Sequence, residues 1–75
     1  MDRPDEIFGQ ALAKLRIRKG LSQEELGFNA GVHRTYVSQI ERGLKSPTLK
    51  TIVRLARALN ITPGKLVSAV DGARI

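Results

Sequence analysis

The chain of 75 residues predicts an all-α fold of five helices, with the second and third joined by a tight glycine turn. Three observations carry that expectation. Ser22 followed three residues later by Glu25 forms a capping box, which starts a helix at Gln23. Gly31 closes that helix, because a left-handed C-terminal residue costs glycine little. Apolar residues recur at helical spacing along the whole chain, Leu26 with Ala30 and then Val37, Ile40 and Leu44, and no segment reads as a strand.

Each element follows from local chemistry. Pro4 sits near the start of the first helix, where Asp5 and Glu6 favour the positive end of its dipole. Phe8, Ala11, Leu12 and Leu15 form its inward stripe, which ends at Lys19 and Gly20. The second and third helices bury their apolar faces against each other and against a further element. Gly43 to Pro47 is a loop, and Thr48 caps a fourth helix whose inner face is Leu49, Ile52, Val53, Ala56 and Leu59. Asn60 stops it. Thr62 and Pro63 are a cap and a first helical proline, opening a short fifth helix with Leu66, Val67 and Val70 on its apolar side. A single domain spanning 1–75 is expected, with its core over about 8–70 and a frayed tail at 71–75.

Composition narrows the function. Hydrophobic residues make up 41% of the chain, as in a globular protein, and there is no cysteine to build a disulfide scaffold or a thiolate zinc site. No run reaches the length of a membrane span, and residues 1–6 do not read as a signal peptide, so a cytoplasmic location without membrane contact is expected. The net charge of +6 points to a polyanion. It is concentrated between Lys14 and Arg57, where ten basic residues face only Glu24, Glu25 and Glu41. Lys50, Arg54 and Arg57 lie at helical spacing and read as a solvated outer face rather than as a binding stripe.

Two short helices across a glycine turn form the helix-turn-helix, whose second helix enters the major groove of duplex DNA. With Val37, Ile40 and Leu44 turned inward, Thr35, Ser38, Gln39 and Arg42 point outward, with Tyr36 on the flank and Arg34 reaching past the helix start. Arg34 matches the O6 and N7 of guanine, and Gln39 the N6 and N7 of adenine. Thr35 offers a methyl to thymine, and Ser38 permits close approach. These four are the expected base readers. Tyr36 and Arg42 are expected phosphate contacts, which fix register but carry little sequence information. Lys45 and Ser46 in the following loop join them. Glu41 is the only acid in the third helix and is expected to pair inside the protein with Arg16.

The segments from Gly20 to Leu26, Ala30 to Val32, Tyr36 to Gly43, Ser46 to Leu49 and Leu55 to Leu59 resemble the phage repressor and Cro type of helix-turn-helix domain, the XRE family. The resemblance runs from about Phe8 to Leu66. It implies a lambda-repressor-like five-helix fold, sequence-specific binding to double-stranded DNA and a homodimer on a two-fold operator. In size the chain is similar to restriction–modification controller proteins. The resemblance also implies a phosphate contact at Gln23, where first-turn amides already favour an anion, and it points to the same Arg16–Glu41 pair. For the dimer interface, the apolar side of helix five, Leu66, Val67 and Val70, is expected, with Ile75 beside it and part of that side closing the core. His33 stands where the family has a capping Ser or Thr. Gly27 stands where it has alanine, which is expected to lower intrinsic helix stability by ~1 kcal/mol.

An enzyme is not expected: there is one histidine, no cysteine and no phosphate-cradling glycine loop after a strand. Nor is a metal, a cofactor or a small-molecule effector. With aromatics limited to Phe8, Phe28 and Tyr36, the chain has no stacking platform for single strands. The alternative is an antitoxin or an adaptor that works through a protein partner, with Ile17 and Phe28 as its exposed apolar marks.

Overall fold

The computed structural model describes residues 3–71. It contains α1 (Arg3–Arg18), α2 (Gln23–Ala30), α3 (Arg34–Glu41), α4 (Leu49–Ala58) and α5 (Pro63–Val67), the last running into a single 3-10 turn, Ser68–Val70. Most of the expected tail lies outside the described residues. Helix starts are fixed by side chains. Ser22 Oγ accepts from the Glu25 amide at 3.0 Å while Glu25 Oε1 accepts from the Ser22 amide at 2.8 Å, completing the capping box. Thr48 and Thr62 cap α4 and α5 in the same way from their hydroxyls.

Helices α1 to α4 share one kind of ending. Each turns on a left-handed residue, Gly20, Gly31, Gly43 or Asn60. In each the following amide reaches back five residues, as from Val32 to Gly27 O at 2.9 Å and from Leu44 to Gln39 O at 2.9 Å. This ending aims the next apolar residue back at the helix. Leu21, Val32 and Ile61 duly pack on the core.

Helix α1 lies against α3 and α5, and α2 lies against α3 and α4. Between them are Phe8 and Leu12 of α1, Leu26 and Ala30 of α2, Val37 and Ile40 of α3, Leu55, Ala56 and Leu59 of the α4 segment, and Leu66 of α5. Three apolar expectations need correction. Leu44 is 63% exposed, because α3 ends at Glu41 and the turn at Gly43 takes the chain off the helical wheel. Leu49 is 75% exposed: it opens α4 and overhangs the core that its wheel position would otherwise face, while Thr51 is buried in that first turn. Leu66 is fully buried in the protein's own core and has no surface left for a dimer interface.

Two glycines allow the helices to approach. A Cβ on Gly9 of α1 would collide with the Ile40 carbonyl oxygen and stand 2.7 Å from that of Glu41. One on Gly27 would stand 2.6 Å from the Val32 carbonyl oxygen. The cost in helix propensity at Gly27 is thus offset by the tight turn into α3, which an alanine would push open.

The Arg16 side chain ties the helices together on the other side. Its Nε donates to Glu41 Oε2 at 2.7 Å, its Nη2 to Glu41 Oε1 at 3.0 Å, and its Nη1 to the Leu21 carbonyl at 2.8 Å. The two side chains are only 14% and 6% exposed. Hydrogen bonding to Glu41 raises the pKa of the guanidinium further, against the opposing effect of burial, so its charge is permanent.

This packing makes the stability of two glycine sites and of the ion pair testable. Gly9→Ala is expected to lose about 1–3 kcal/mol despite its better helix propensity, because the added methyl overpacks a backbone contact. Gly64→Ala, where nothing lies within 4 Å of a new Cβ, is expected to melt at or above the wild-type temperature. Arg16→Ala is expected to cost about 3–5 kcal/mol by leaving a buried carboxylate unpaired. Replacing the pair together, Arg16→Met with Glu41→Leu, is expected to recover most of that loss. Urea and thermal melts of these variants test both claims.

Candidate nucleic-acid interface

Helix α3 is two turns of eight residues, about 12 Å long and so matched to the width of the major groove. Its orientation is set from within. Val37 and Ile40 are fully buried, and Glu41 is drawn inward by Arg16. The same helical period then places Arg34 and Thr35 in solvent and leaves Ser38 and Gln39 half-exposed. Among the described residues, no hydrogen bond engages the side chains of Thr35, Ser38, Gln39, Tyr36 or Arg42. The outward side of α3 therefore combines uncommitted polar groups with no acid.

The start of this helix is built by His33. Its Nδ1 accepts from the Thr35 amide at 3.0 Å, the capping bond of α3. Imidazole thus supplies the acceptor that a Ser or Thr hydroxyl gives elsewhere in the molecule. Arg34 Nη1 lies 3.8 Å from Glu24 Oε1, with both side chains largely exposed. A pair of that kind contributes less than about 1 kcal/mol, so the guanidinium is readily exchanged to another acceptor.

The remaining candidates are distributed around α3. Tyr36 is half-buried, its ring against the core, and Arg42 is exposed at the C-terminal cap. Lys45 and Ser46 are exposed in the loop beyond Gly43. Gln23 opens α2 and is half-buried, and its Nε2 donates to Glu41 Oε1 at 2.9 Å. Sequence reasoning did not anticipate that bond, because the partners stand 18 positions apart with no shared periodicity. Gly9 was missed as well, although a lone glycine within a helical stripe was a readable sign of close backbone approach. At the far end, Val67 and Val70 are half-buried around α5 and its 3-10 turn, beside Pro4, Phe8, Pro47 and Ile52. Ile75 lies outside the described residues. Phe28 and Ile17 stand 87% and 65% exposed.

Comparison with known proteins agrees with this geometry. A helix-turn-helix family model matches residues 12–66. The control protein C.BamHI of Bacillus amyloliquefaciens is 40% identical over 62 residues, covering 81% of this chain and 76% of its own. The crystal structure of the restriction-modification controller protein C.AhdI from Aeromonas hydrophila superposes with a TM-score of 0.81 at 48% identity, over 83% of this chain and 94% of that one. The biofilm master regulator SinR, solved in complex with DNA, superposes with a TM-score of 0.76 at 33% identity, over 80% and 97% of the two chains. The five-helix architecture, the turn at Gly31 and the matched span together place this chain in the helix-turn-helix family of the repressor and Cro type, whose members are DNA-binding transcriptional regulators and not enzymes.

Proposed function

We propose that the protein is a sequence-specific regulator of transcription that binds double-stranded DNA as a homodimer on a two-fold operator, in the cytoplasm where the DNA lies. The observation that carries this reading is the outward side of α3, where Thr35, Ser38 and Gln39 have no partner among the described residues and Arg34 has only a loose one. Arg34, Thr35, Ser38 and Gln39 read base edges from the major groove. Gln23, Tyr36, Arg42, Lys45 and Ser46 hold phosphates and set the register of the helix. A dimer presenting two such helices about 34 Å apart would meet successive turns of the duplex on one side. Val67 and Val70, half-buried at the C-terminal end, are the surface proposed for that association. The likeness to SinR solved with DNA supports the partner, and the likeness to controller proteins supports a regulatory role.

A second reading, an adaptor or antitoxin acting through a protein partner, is favoured by the exposed Phe28 and Ile17 alone. Selection from a randomised duplex pool at near-physiological salt separates the two. A two-fold motif with half-sites one helical turn apart supports the regulator, and retention without any motif favours the adaptor. On the selected operator, Gln39→Ala is expected to cost about 1–3 kcal/mol and to relax one base position in each half-site. An equal loss on every sequence would move Gln39 from the bases to the phosphates.

A further inference from the structure

The amide of Gln23 is held by a group whose established partners already satisfy it. Glu41 Oε2 receives Arg16 Nε at 2.7 Å and Oε1 receives Arg16 Nη2 at 3.0 Å, so the ion pair is complete without Gln23. Helix α2 likewise has its capping box closed by Ser22 and Glu25 without Gln23. The bond from Gln23 Nε2 to Glu41 Oε1 is therefore surplus to both structures, and what it determines is the orientation of the Gln23 side chain.

A carboxylate only accepts, so the Gln23 amide must turn its nitrogen toward Glu41 and cannot flip. One of its two N–H groups is used there, and the other remains for an outside acceptor. Arg16 neutralises Glu41 and, through Nη1, also binds the Leu21 carbonyl two residues before Gln23. A phosphate approaching the start of α2 thus meets an amide fixed in one orientation and a carboxylate whose charge is already balanced. Because Glu41 belongs to α3, the same bond sets the Gln23 carboxamide relative to the row formed by Thr35, Ser38 and Gln39.

We propose that Glu41, with Arg16, is a positioning residue for DNA binding: it holds Gln23 so that the free N–H of its carboxamide meets a backbone phosphate in register with the base-reading side of α3. The inference rests on the DNA-binding reading above. It adds to the stabilising role of the ion pair a separate role in affinity, exerted through Gln23.

A double-mutant cycle on binding tests it. The wild type, Gln23→Ala, the paired replacement Arg16→Met with Glu41→Leu, and the triple combination are titrated against the selected operator and a random duplex at one salt concentration, with a melt of each. Gln23→Ala is expected to weaken both DNAs about tenfold. The paired replacement is expected to lose a similar factor while still melting cooperatively, and Gln23→Ala in that background is expected to lose less than about twofold more. An undiminished effect of Gln23→Ala in the paired background overturns the proposal, and so does wild-type affinity of the paired replacement. If the paired replacement does not fold, Gln23→Asn decides, because its shorter side chain cannot span Glu41 and a phosphate at once. Loss equal to that of Gln23→Ala supports the proposal, and wild-type affinity sinks it. A wild-type protein that binds no duplex would overturn the DNA-binding reading itself, a result distinct from any of these.

Discussion

The Arg16 guanidinium reaches into three parts of the chain at once: its own helix α1, the carbonyl of Leu21 in the turn before α2, and the carboxylate of Glu41 on α3. The rest of the molecule depends on this connection. Glu41 is the last residue of α3, and once its carboxylate faces inward the helical period leaves only one orientation for the preceding residues. Thr35, Ser38 and Gln39 then face away from the core. The pair is shielded from water, and hydrogen bonding to Glu41 raises the pKa of the guanidinium, so the arginine keeps its charge.

Helices as short as α2 and α3, eight residues each, have little stability of their own. They persist because both ends are finished by specific bonds and because each buries an apolar face. Caps from Ser22 and His33 satisfy first-turn amides, and the left-handed residues Gly31 and Gly43 satisfy last-turn carbonyls. Close backbone approach at Gly9 and Gly27 then lets a small chain build a continuous core from few side chains. The result is an α3 whose two ends and inward face are all fixed by contacts within the chain.

Family membership accounts for this frame, while the choice of DNA sequence lies with side chains on it. The polar row on α3 is the part of the frame with nothing else to do among the described residues. At His33 an imidazole nitrogen caps its helix, where hydroxyl oxygens do so at Ser22, Thr48 and Thr62. The exposed Leu44 and Leu49 flank the loop that carries Lys45 and Ser46, so the apolar surface near that loop is a consequence of where α3 stops and α4 starts.

Sequence alone determined most of what is encoded within about one helical turn, although the inward face of α4 takes in Leu55, which the expected stripe left out. The capping box at Ser22, the caps at Thr48 and Thr62, the stops at Gly31 and Asn60, and the inward stripes of Phe8 with Leu12 and of Val37 with Ile40 were all legible, because each depends on residues three or four apart. From those faces alone the five helices and the outward row of α3 could be read. The tertiary structure decided what periodicity cannot express. A helical wheel has no ends, so it put Leu44 and Leu49 inside when they lie past the limits of the packed core. It also could not tell that a short α5 spends Leu66 wholly on the core and leaves Val67 and Val70 at its margin. The contact of Gly9 with the end of α3 and the bond from Gln23 to Glu41 join residues far apart in the chain, and they exist only because helix packing brings those backbones together.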